Sequence, residues 1–134
     1  MALNGERWAI ILAGGEGKRL SSLTQRIAGD GRPKQFCRLI GQSSLIEQTR
    51  DRVALSIADD NILAVVTRAH ERYYGALLGQ MRQRNLVIQP DNRGTAPAIL
   101  YSLLRLSKLA PAACVAIFPS DHFVSERAPV HVPR

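Results

Sequence analysis

The sequence contains few cysteines and no long hydrophobic run, and each scarcity excludes a class of protein. Only two of the 134 residues are cysteine. Cys37 and Cys114 lie far apart in unrelated contexts, so neither a disulfide framework nor a cysteine metal site is indicated. Cys114 lies in an apolar run, where a buried thiol is expected. No apolar stretch approaches the roughly 18 residues of a membrane span, so no membrane association is expected.

A targeting segment is also missing. The first ten residues, MALNGERWAI, contain no basic stretch followed by a long apolar run, so we expect no signal peptide. Together with the low cysteine content, this pattern favours a cytoplasmic protein.

Clustered positive charge is missing as well, although the net charge is +7. The eighteen lysines and arginines are spread along the whole chain, and aromatic residues make up only 5%. Proteins that bind nucleic acid instead concentrate basic residues and stack bases on aromatic side chains. A solvated basic surface is therefore favoured, and no nucleic-acid partner is expected. Alternatively, the chain is part of a larger protein whose acidic residues lie elsewhere.

What the sequence does contain is an alternation of short apolar runs and helical patterns. Continuous apolar runs predict strands covered on both faces, at residues 8–13, 62–66, 86–89 and 114–118. Three helices are predicted between them. One follows a Ser44–Glu47 capping box, another covers about 70–84 and the third covers about 95–109.

The helical patterns also predict which residues are buried. The apolar side chains expected in the core are Leu45, Ile46, Val53 and Ile57 in the first helix, and Tyr73, Tyr74, Leu77, Leu78 and Met81 in the second. The third helix has Thr95 as its expected N-cap and Pro97 in its first turn. It is apolar on nearly all sides, which predicts deep burial.

This order of elements predicts an α/β fold, a Rossmann-like, doubly wound, mostly parallel sheet with helices on both faces. Ligands of such sheets bind beyond the carboxyl ends of the strands. Three segments follow strands here, at residues 14–35, 90–95 and 119–122. We expect all three to meet at one crevice.

The first of these segments has the composition of an anion-binding loop. Gly14, Gly15 and Gly17 follow the first strand directly and precede Lys18 and Arg19. Glycine backbone approaches ligands closely, and successive N–H groups form nests for phosphate oxygens. Roughly thirty residues separate the first strand from the helix near residue 44, and loops of that length are usually functional.

Two familiar phosphate loops do not fit this segment. A P-loop needs a glycine five positions before Gly17, where Leu12 stands, and a serine or threonine after its lysine. The dinucleotide fingerprint matches Gly15 and Gly17, but its third glycine would be Leu20. An unrelated Rossmann-type dehydrogenase is disfavoured for this reason.

Four motifs resemble a different family. In chain order, LAGGEGKRL, RPKQF, QPDNRGTAPAI and FPSDH are similar to the motifs of the sugar nucleotidyltransferases. The closest resemblance is to the mannose-1-phosphate guanylyltransferases, and PKQFCRLIGQSSLIEQT extends it beyond the short motif. The resemblance covers residues 8 to about 124.

The resemblance implies a reaction and a domain plan. The phosphate of a sugar 1-phosphate, expected to be mannose 1-phosphate, attacks the α-phosphorus of a nucleoside triphosphate, expected to be GTP. Pyrophosphate leaves and a nucleotide sugar forms. Residues 1–124 would be the nucleotide-binding half of the domain, and residues 125–134 an irregular tail. The missing half would supply the sugar pocket and a second acidic metal ligand.

The resemblance also implies roles for single residues. Arg19 and Lys34 would be catalytic cations that neutralise phosphate charge, and Asp121 would bind Mg²⁺, the expected cofactor. The residues expected to bind the nucleotide are Leu12, Ala13, Gly14, Gly15, Gly17, Gln89, Gly94 and Thr95.

The base and the activity of the chain remain open at this point. Guanylyltransferases usually have glutamate where Gln89 stands, and glutamine suits uracil or thymine better, so a uridylyl- or thymidylyltransferase is an alternative. A truncated, non-catalytic nucleotide-binding or regulatory module is another. We expect the 134 residues alone to be inactive, and either a homo-oligomer or a missing C-terminal half to complete the site.

Overall fold

A computed structural model describes residues 5–124, so the predicted tail at 125–134 lies outside the described residues. Four strands form one sheet in the order β3-β2-β1-β4, and every neighbouring pair is parallel. The strands are β1 (Arg7–Leu12), β2 (Ile62–Thr67), β3 (Leu86–Gln89) and β4 (Cys114–Pro119). The four predicted strands and their parallel direction are confirmed.

Four α-helices accompany the sheet where three were predicted. They are α1 (Ser21–Ala28), α2 (Leu45–Ala54), α3 (Glu71–Leu78) and α4 (Thr95–Leu109). The expectation of one long loop before residue 44 is wrong because α1 interrupts it. This helix begins without a side-chain cap and ends at Gly29, whose φ is 79°. The missing cap removed the usual sequence signal for a helix start.

The helix starts differ in how well the sequence predicted them. The capping box of α2 is confirmed: Glu47 N–H donates to Ser44 Oγ at 3.4 Å, and Ser44 N–H donates to the Glu47 carboxylate at 2.7 Å. Thr95, in contrast, is not the N-cap of α4. Gly94 occupies that position, and no side-chain hydrogen bond caps the helix. Pro97 lies in the first turn, as predicted.

Helices cover both faces of the sheet because successive strand residues point to opposite sides. One core joins β1 and β2 to α2 and α3 through Ala9, Ile11, Ala64, Val66, Ile46, Val53, Tyr74 and Leu78. The other joins the strands to α4 through Trp8, Ile10, Leu63, Val65, Val87, Ala98 and Leu106. The predicted doubly wound architecture is confirmed.

The prediction that α4 and β4 are deeply buried is wrong. Leu100 and Leu104 on the outer side of α4 are 59% and 56% exposed. β4 pairs only with β1 among the described residues, and Cys114 is exposed rather than buried. Within residues 5–124 no further element covers this side. Although α4 is apolar, no helix in the described part of the chain has the length and hydrophobicity to cross a membrane.

The strand order fixes where a ligand can bind. From β1 the chain adds β2 and then β3 on one side, and it crosses back to place β4 on the other side of β1. Leu12 at the end of β1 is therefore in register with Val65 of β2 and Pro119 of β4. Where the direction of winding reverses, the loops diverge and leave a crevice at the carboxyl ends of the strands.

Candidate functional site

A crevice of about 620 Å³ lies at the carboxyl ends of β1 and β4. All three predicted segments contribute to it, so the expected convergence is confirmed. Its lining includes Leu12, Gly14, Gly15, Glu16, Gly17, Lys18, Arg19, Lys34, Gln35, Val65, Gln89, Asn92, Gly94, Thr95, Ala98, Pro119, Ser120 and Asp121.

Ala13 alone among the predicted site residues does not line the crevice. Its side chain is buried, and its N–H donates to Val65 O at 2.8 Å. Its carbonyl oxygen accepts a hydrogen bond from Gln35 Nε2 at 3.0 Å. Ala13 therefore anchors the start of the glycine loop, and its own backbone groups are already occupied.

The glycine loop presents free backbone donors. The N–H groups of residues 14–17 make no hydrogen bond within residues 5–124. Gly17 has a φ of 61°, and a Cβ there would lie 3.1 Å from Lys34 N and 3.3 Å from Pro33 Cα. The loop thus packs directly against the segment that carries Lys34, and the positive φ together with these tight contacts favours glycine here.

Lys34 and Asp121 form an ion pair across the crevice. Lys34 Nζ lies 2.7 Å from Asp121 Oδ2, and each side chain is 32% exposed. Burial acts to raise the pKa of Asp121, but the hydrogen bond and charge of Lys34, with a smaller effect of His122, bring the pKa below its ordinary value. Asp121 is therefore an anion at neutral pH and can hold either the ammonium group or a metal ion.

The other cations near the loop differ in their partners. Lys18 Nζ pairs with Glu16 at 2.7 Å, and the Lys18 side chain is 85% exposed. Arg32 lies outside the crevice and is held by Asp30, whose Oδ1 is 2.7 Å from Nε. Arg19 lines the crevice and forms no ion pair with any described residue. Arg19 and Lys34 are thus the cations best placed to meet a bound anion.

Gln89 at the end of β3 is nearly buried, with 5% of its surface exposed. Its Nε2 is buried and has no hydrogen-bond partner among the described residues. A Cβ added to Gly14 would lie 2.6 Å from this nitrogen and 3.1 Å from Thr67 Oγ1. Gly14 therefore leaves room for the amide of Gln89, a residue that lines the crevice and carries an uncompensated donor.

The N-terminus of α4 forms the opposite wall. Gly94, with a φ of 96°, and Thr95 line the crevice where the fifteen-residue helix begins. Asn92 Oδ1 accepts a hydrogen bond from Gly94 N–H at 3.1 Å and so fixes the turn. A helix N-terminus carries partial positive charge, which favours an anionic ligand here.

Three functional candidates were missed from the sequence. Gln35, Thr67 and Ser120 are all buried and donate hydrogen bonds to carbonyl oxygens of the glycine loop. Gln35 and Ser120 lie inside the RPKQF and FPSDH motifs, which gave a signal for the segments but none for these side chains. Thr67 is simply the last residue of β2 and carried no signal.

Two carboxylates line the crevice among residues 5–124, those of Glu16 and Asp121, and Glu16 is paired with Lys18. Within residues 5–124 there is no group of three histidine, cysteine or acidic side chains that could enclose a metal ion. Mg²⁺ commonly uses one or two carboxylates and completes its shell with phosphate oxygens and water. Asp121 fits that mode, which needs a bound phosphate, and does not fit a cage made only of protein.

Comparisons with known proteins agree with this geometry. A mannose-1-phosphate guanylyltransferase from Klebsiella pneumoniae is 28% identical over 128 residues, which are 91% of this chain and 25% of that protein. The xanthan biosynthesis protein XanB from Xanthomonas campestris is 31% identical over 121 residues, which are 89% of this chain and 25% of that protein. The chain thus spans about a quarter of the length of these curated relatives.

A solved structure and a family profile extend the comparison. A structure described as mannose-1-phosphate geranyltransferase from Thermus thermophilus matches with a TM-score of 0.75 and 30% identity, over 90% of this chain and 34% of that one. The profile described as "Nucleotidyl transferase" matches residues 8–131. Because that match covers nearly the whole sequence, the chain belongs to the nucleotidyl transferase family.

Proposed function

We propose that this chain binds a nucleoside triphosphate, most specifically GTP, and takes part in transferring its nucleotidyl group to a sugar 1-phosphate, most specifically mannose 1-phosphate. Pyrophosphate is released and a nucleotide sugar forms. The observation that carries this proposal is the meeting of free glycine-loop amides with Lys34 and Asp121 in one crevice. The names of the relatives support the choice of base and sugar.

The reaction needs charge neutralisation more than a protein nucleophile. The attacking oxygen of a sugar phosphate is already anionic, so no serine, cysteine or histidine has to be activated. Negative charge shifts from the α-phosphorus towards the leaving pyrophosphate, and fixed donors aimed at that charge lower the barrier. The loop amides would hold the triphosphate, Arg19 the pyrophosphate side, and Lys34 the phosphate groups that react.

Asp121 is the residue that would hold Mg²⁺. The cation would supply further neutralisation of charge on the phosphates. Without a metal ion, the Asp121 carboxylate holds the ammonium group of Lys34 in the crevice. A phosphate group of the substrate can replace Asp121 as the partner of the ammonium group. Carboxylate and phosphate oxygens are both anionic, and the lysine side chain is flexible enough to reach either.

Gln89 is proposed to read the base. Its buried and unpartnered Nε2 gains a hydrogen bond if a base carbonyl lies against it, and the net gain from such a bond is about 1 kcal/mol. Gln89 lines the crevice beside Gly14, whose missing Cβ leaves the room that this amide occupies. The amide can also accept from a base N–H, so glutamine alone does not exclude guanine, uracil or thymine.

A Gln89→Glu substitution tests this role. A carboxylate only accepts hydrogen bonds, so affinity should shift towards guanine, whose N1–H and N2–H₂ are donors, and away from bases that present a carbonyl. The expected change in the ratio of dissociation constants for GTP against UTP and dTTP is roughly tenfold. Gln89→Met, which has no polar group, should weaken all three. If the ratio does not move in the glutamate variant, Gln89 does not read the base.

Calorimetric titration and isotope exchange test the proposed function as a whole. The purified chain should bind GTP, and the affinity should fall as salt is raised because the ligand is an anion. Exchange of radiolabelled pyrophosphate into GDP-mannose should be slow. Of the two carboxylates that line the crevice among residues 5–124, Glu16 is paired with Lys18, which leaves Asp121 as the only one proposed to bind Mg²⁺. Failure of GTP and all other triphosphates to bind would refute the proposal.

A second candidate function is a nucleotide-binding module without catalysis. It is supported by the crevice itself, where Asp121 is the one carboxylate proposed to bind Mg²⁺ among residues 5–124. The two functions differ in one measurement. Binding without any exchange, even at high enzyme concentration and in the presence of Mg²⁺, would establish the non-catalytic module.

A further inference from the structure

Four consecutive carbonyl oxygens of the glycine loop, those of residues 12–15, each accept a hydrogen bond from a distant side chain. The donors come from three separate segments of the chain. The bonds run from Ser120 Oγ to Leu12 O at 2.6 Å, from Gln35 Nε2 to Ala13 O at 3.0 Å and to Gly15 O at 2.8 Å, and from Thr67 Oγ1 to Gly14 O at 2.9 Å.

These donors are buried side chains rather than surface groups. Gln35 is 3% exposed, Thr67 4% and Ser120 2%. A buried polar group that loses its partner costs about 1–3 kcal/mol, so each side chain is bound to its carbonyl with little freedom to leave. Because Gln35 holds two of the four carbonyls with one amide group, it fixes more of the loop than either hydroxyl does.

The bound carbonyls determine where the neighbouring N–H groups point. In a planar trans peptide the C=O of one residue and the N–H of the next point in opposite directions. Carbonyls 13, 14 and 15 are held by buried side chains, so the N–H groups of residues 14, 15 and 16 face the other way. These N–H groups have no partner within residues 5–124, whereas the N–H of Ala13 is used by Val65 O.

We propose that Gln35, Thr67 and Ser120 form a carbonyl clamp on residues 12–15, in which Gln35 and Thr67 orient the loop amides of residues 14–16 for the oxygens of a triphosphate and Ser120 holds Leu12 at the end of β1. Gln35 is the principal positioning residue. Because Gln35 follows Lys34 in the chain, its hydrogen bonds also connect the glycine loop to the segment that carries Lys34. The identity of the ligand as a triphosphate rests on the proposed function. The orientation of the amides does not depend on it.

Gln48 provides a matched control for Gln35. Its Nε2 also donates to two backbone carbonyls, those of Ile40 at 2.8 Å and Ser43 at 2.9 Å. The two carbonyls belong to the loop before α2, and none of these three residues lines the crevice. Gln35→Met and Gln48→Met therefore remove the same pair of bonds while nearly conserving side-chain volume, one at the glycine loop and one away from it.

Two measurements distinguish the mobility of the loop amides from the affinity of the chain for anions. Heteronuclear ¹⁵N NOE values report the mobility of the amides of residues 14–16, and titration calorimetry reports affinity for inorganic tripolyphosphate and for GTP. In Gln35→Met we expect lower NOE values at those amides and about tenfold weaker binding of both anions, equivalent to about 1.4 kcal/mol. Gln48→Met should change neither, although thermal unfolding should show some loss of stability.

Each alternative result has a definite meaning. If the amides of residues 14–16 stay rigid in Gln35→Met, or if they loosen while tripolyphosphate binding is unchanged, the clamp is overturned. If the native chain binds neither anion but its amides loosen only in Gln35→Met, the proposed function fails and the orienting role of the clamp stands. If Gln35→Met does not fold, the isosteric Thr67→Val is expected to loosen the amide of residue 15 alone, and rigid amides there would overturn the clamp.

Discussion

In a longer protein that contains this chain, a Lys34→Met variant is expected to transfer the nucleotidyl group roughly a hundredfold more slowly. Affinity for the triphosphate should fall much less. The reason is that Lys34 would meet charge that changes during the reaction, so its loss appears mainly in kcat. The Arg19→Ala variant should act in the same direction.

The environment of Lys34 explains why its charge is effective. Its ammonium group lies 2.7 Å from the Asp121 carboxylate, and both side chains are about two-thirds buried, so bulk water screens them only in part. Removing the lysine also removes the influence that keeps the pKa of Asp121 low, and burial then acts to raise that pKa. Ionised Asp121 stabilises the native fold at neutral pH and loses that effect as the pH falls through its lowered pKa.

Lys18→Met is the matched comparison because it removes the same formal charge from the same crevice. The Lys18 side chain is 85% exposed and is paired with Glu16, so salt and water screen it strongly. We expect turnover within about threefold of the native value for this variant. Equal losses in the two lysine variants would mean that net charge matters and the position of Lys34 does not. An unchanged kcat in Lys34→Met would remove it from the reaction.

The sequence was sufficient to predict how the sheet is built. Continuous apolar runs predict strands buried on both faces, and the helices between them require parallel neighbours. Ser44 and Glu47 predicted the start of α2 because a capping box is a local structure of four residues. α1 was not predicted because no side chain caps its start and Thr24 is its only buried residue, so neither a capping pattern nor an apolar face marks it in the sequence.

Burial of the last helix and strand could not be predicted in the same way. Periodicity tells which side chains are apolar, but it does not tell whether another element covers them. In α4, residues Ala98, Ser102 and Leu106 pack on the sheet while Leu100 and Leu104 on the outer side stay exposed. Cys114 was expected to be buried for the same reason and lies on the edge strand β4.

The residues of the candidate site also differ in whether the sequence could predict them. The motifs located nearly all residues that line the crevice, because three of the four begin at the carboxyl end of a strand that faces it. The carbonyl clamp was not predictable, since Gln35 reaches back 22 residues to Ala13 and Ser120 reaches 108 residues to Leu12. Such bonds depend on how strands are placed side by side and have no spacing that a sequence pattern can match.

A Gly17→Ala variant is expected to lose affinity for GTP by roughly thirtyfold, equivalent to about 2 kcal/mol. Gly17 has a φ of 61°, where an L side chain costs about 1–2 kcal/mol. Its new Cβ would also lie 3.1 Å from Lys34 N and 3.3 Å from Pro33 Cα, and backbone atoms cannot turn aside. The loop and the Lys34 segment must separate by a few tenths of an ångström, which would misalign the amides and the ammonium group proposed to bind one phosphate chain.

The Gly29→Ala variant distinguishes displacement of the glycine loop from backbone strain at a positive φ. Gly29 has a comparable φ of 79° at the end of α1, but a Cβ there meets no atom within 4 Å, and the residue does not line the crevice. Urea unfolding should show a loss of about 1–2 kcal/mol for this variant, with native affinity for GTP in calorimetry. Gly17→Ala should lose both stability and affinity. If it binds GTP as tightly as Gly29→Ala does, close packing of the glycine loop on the Lys34 segment is not needed for binding.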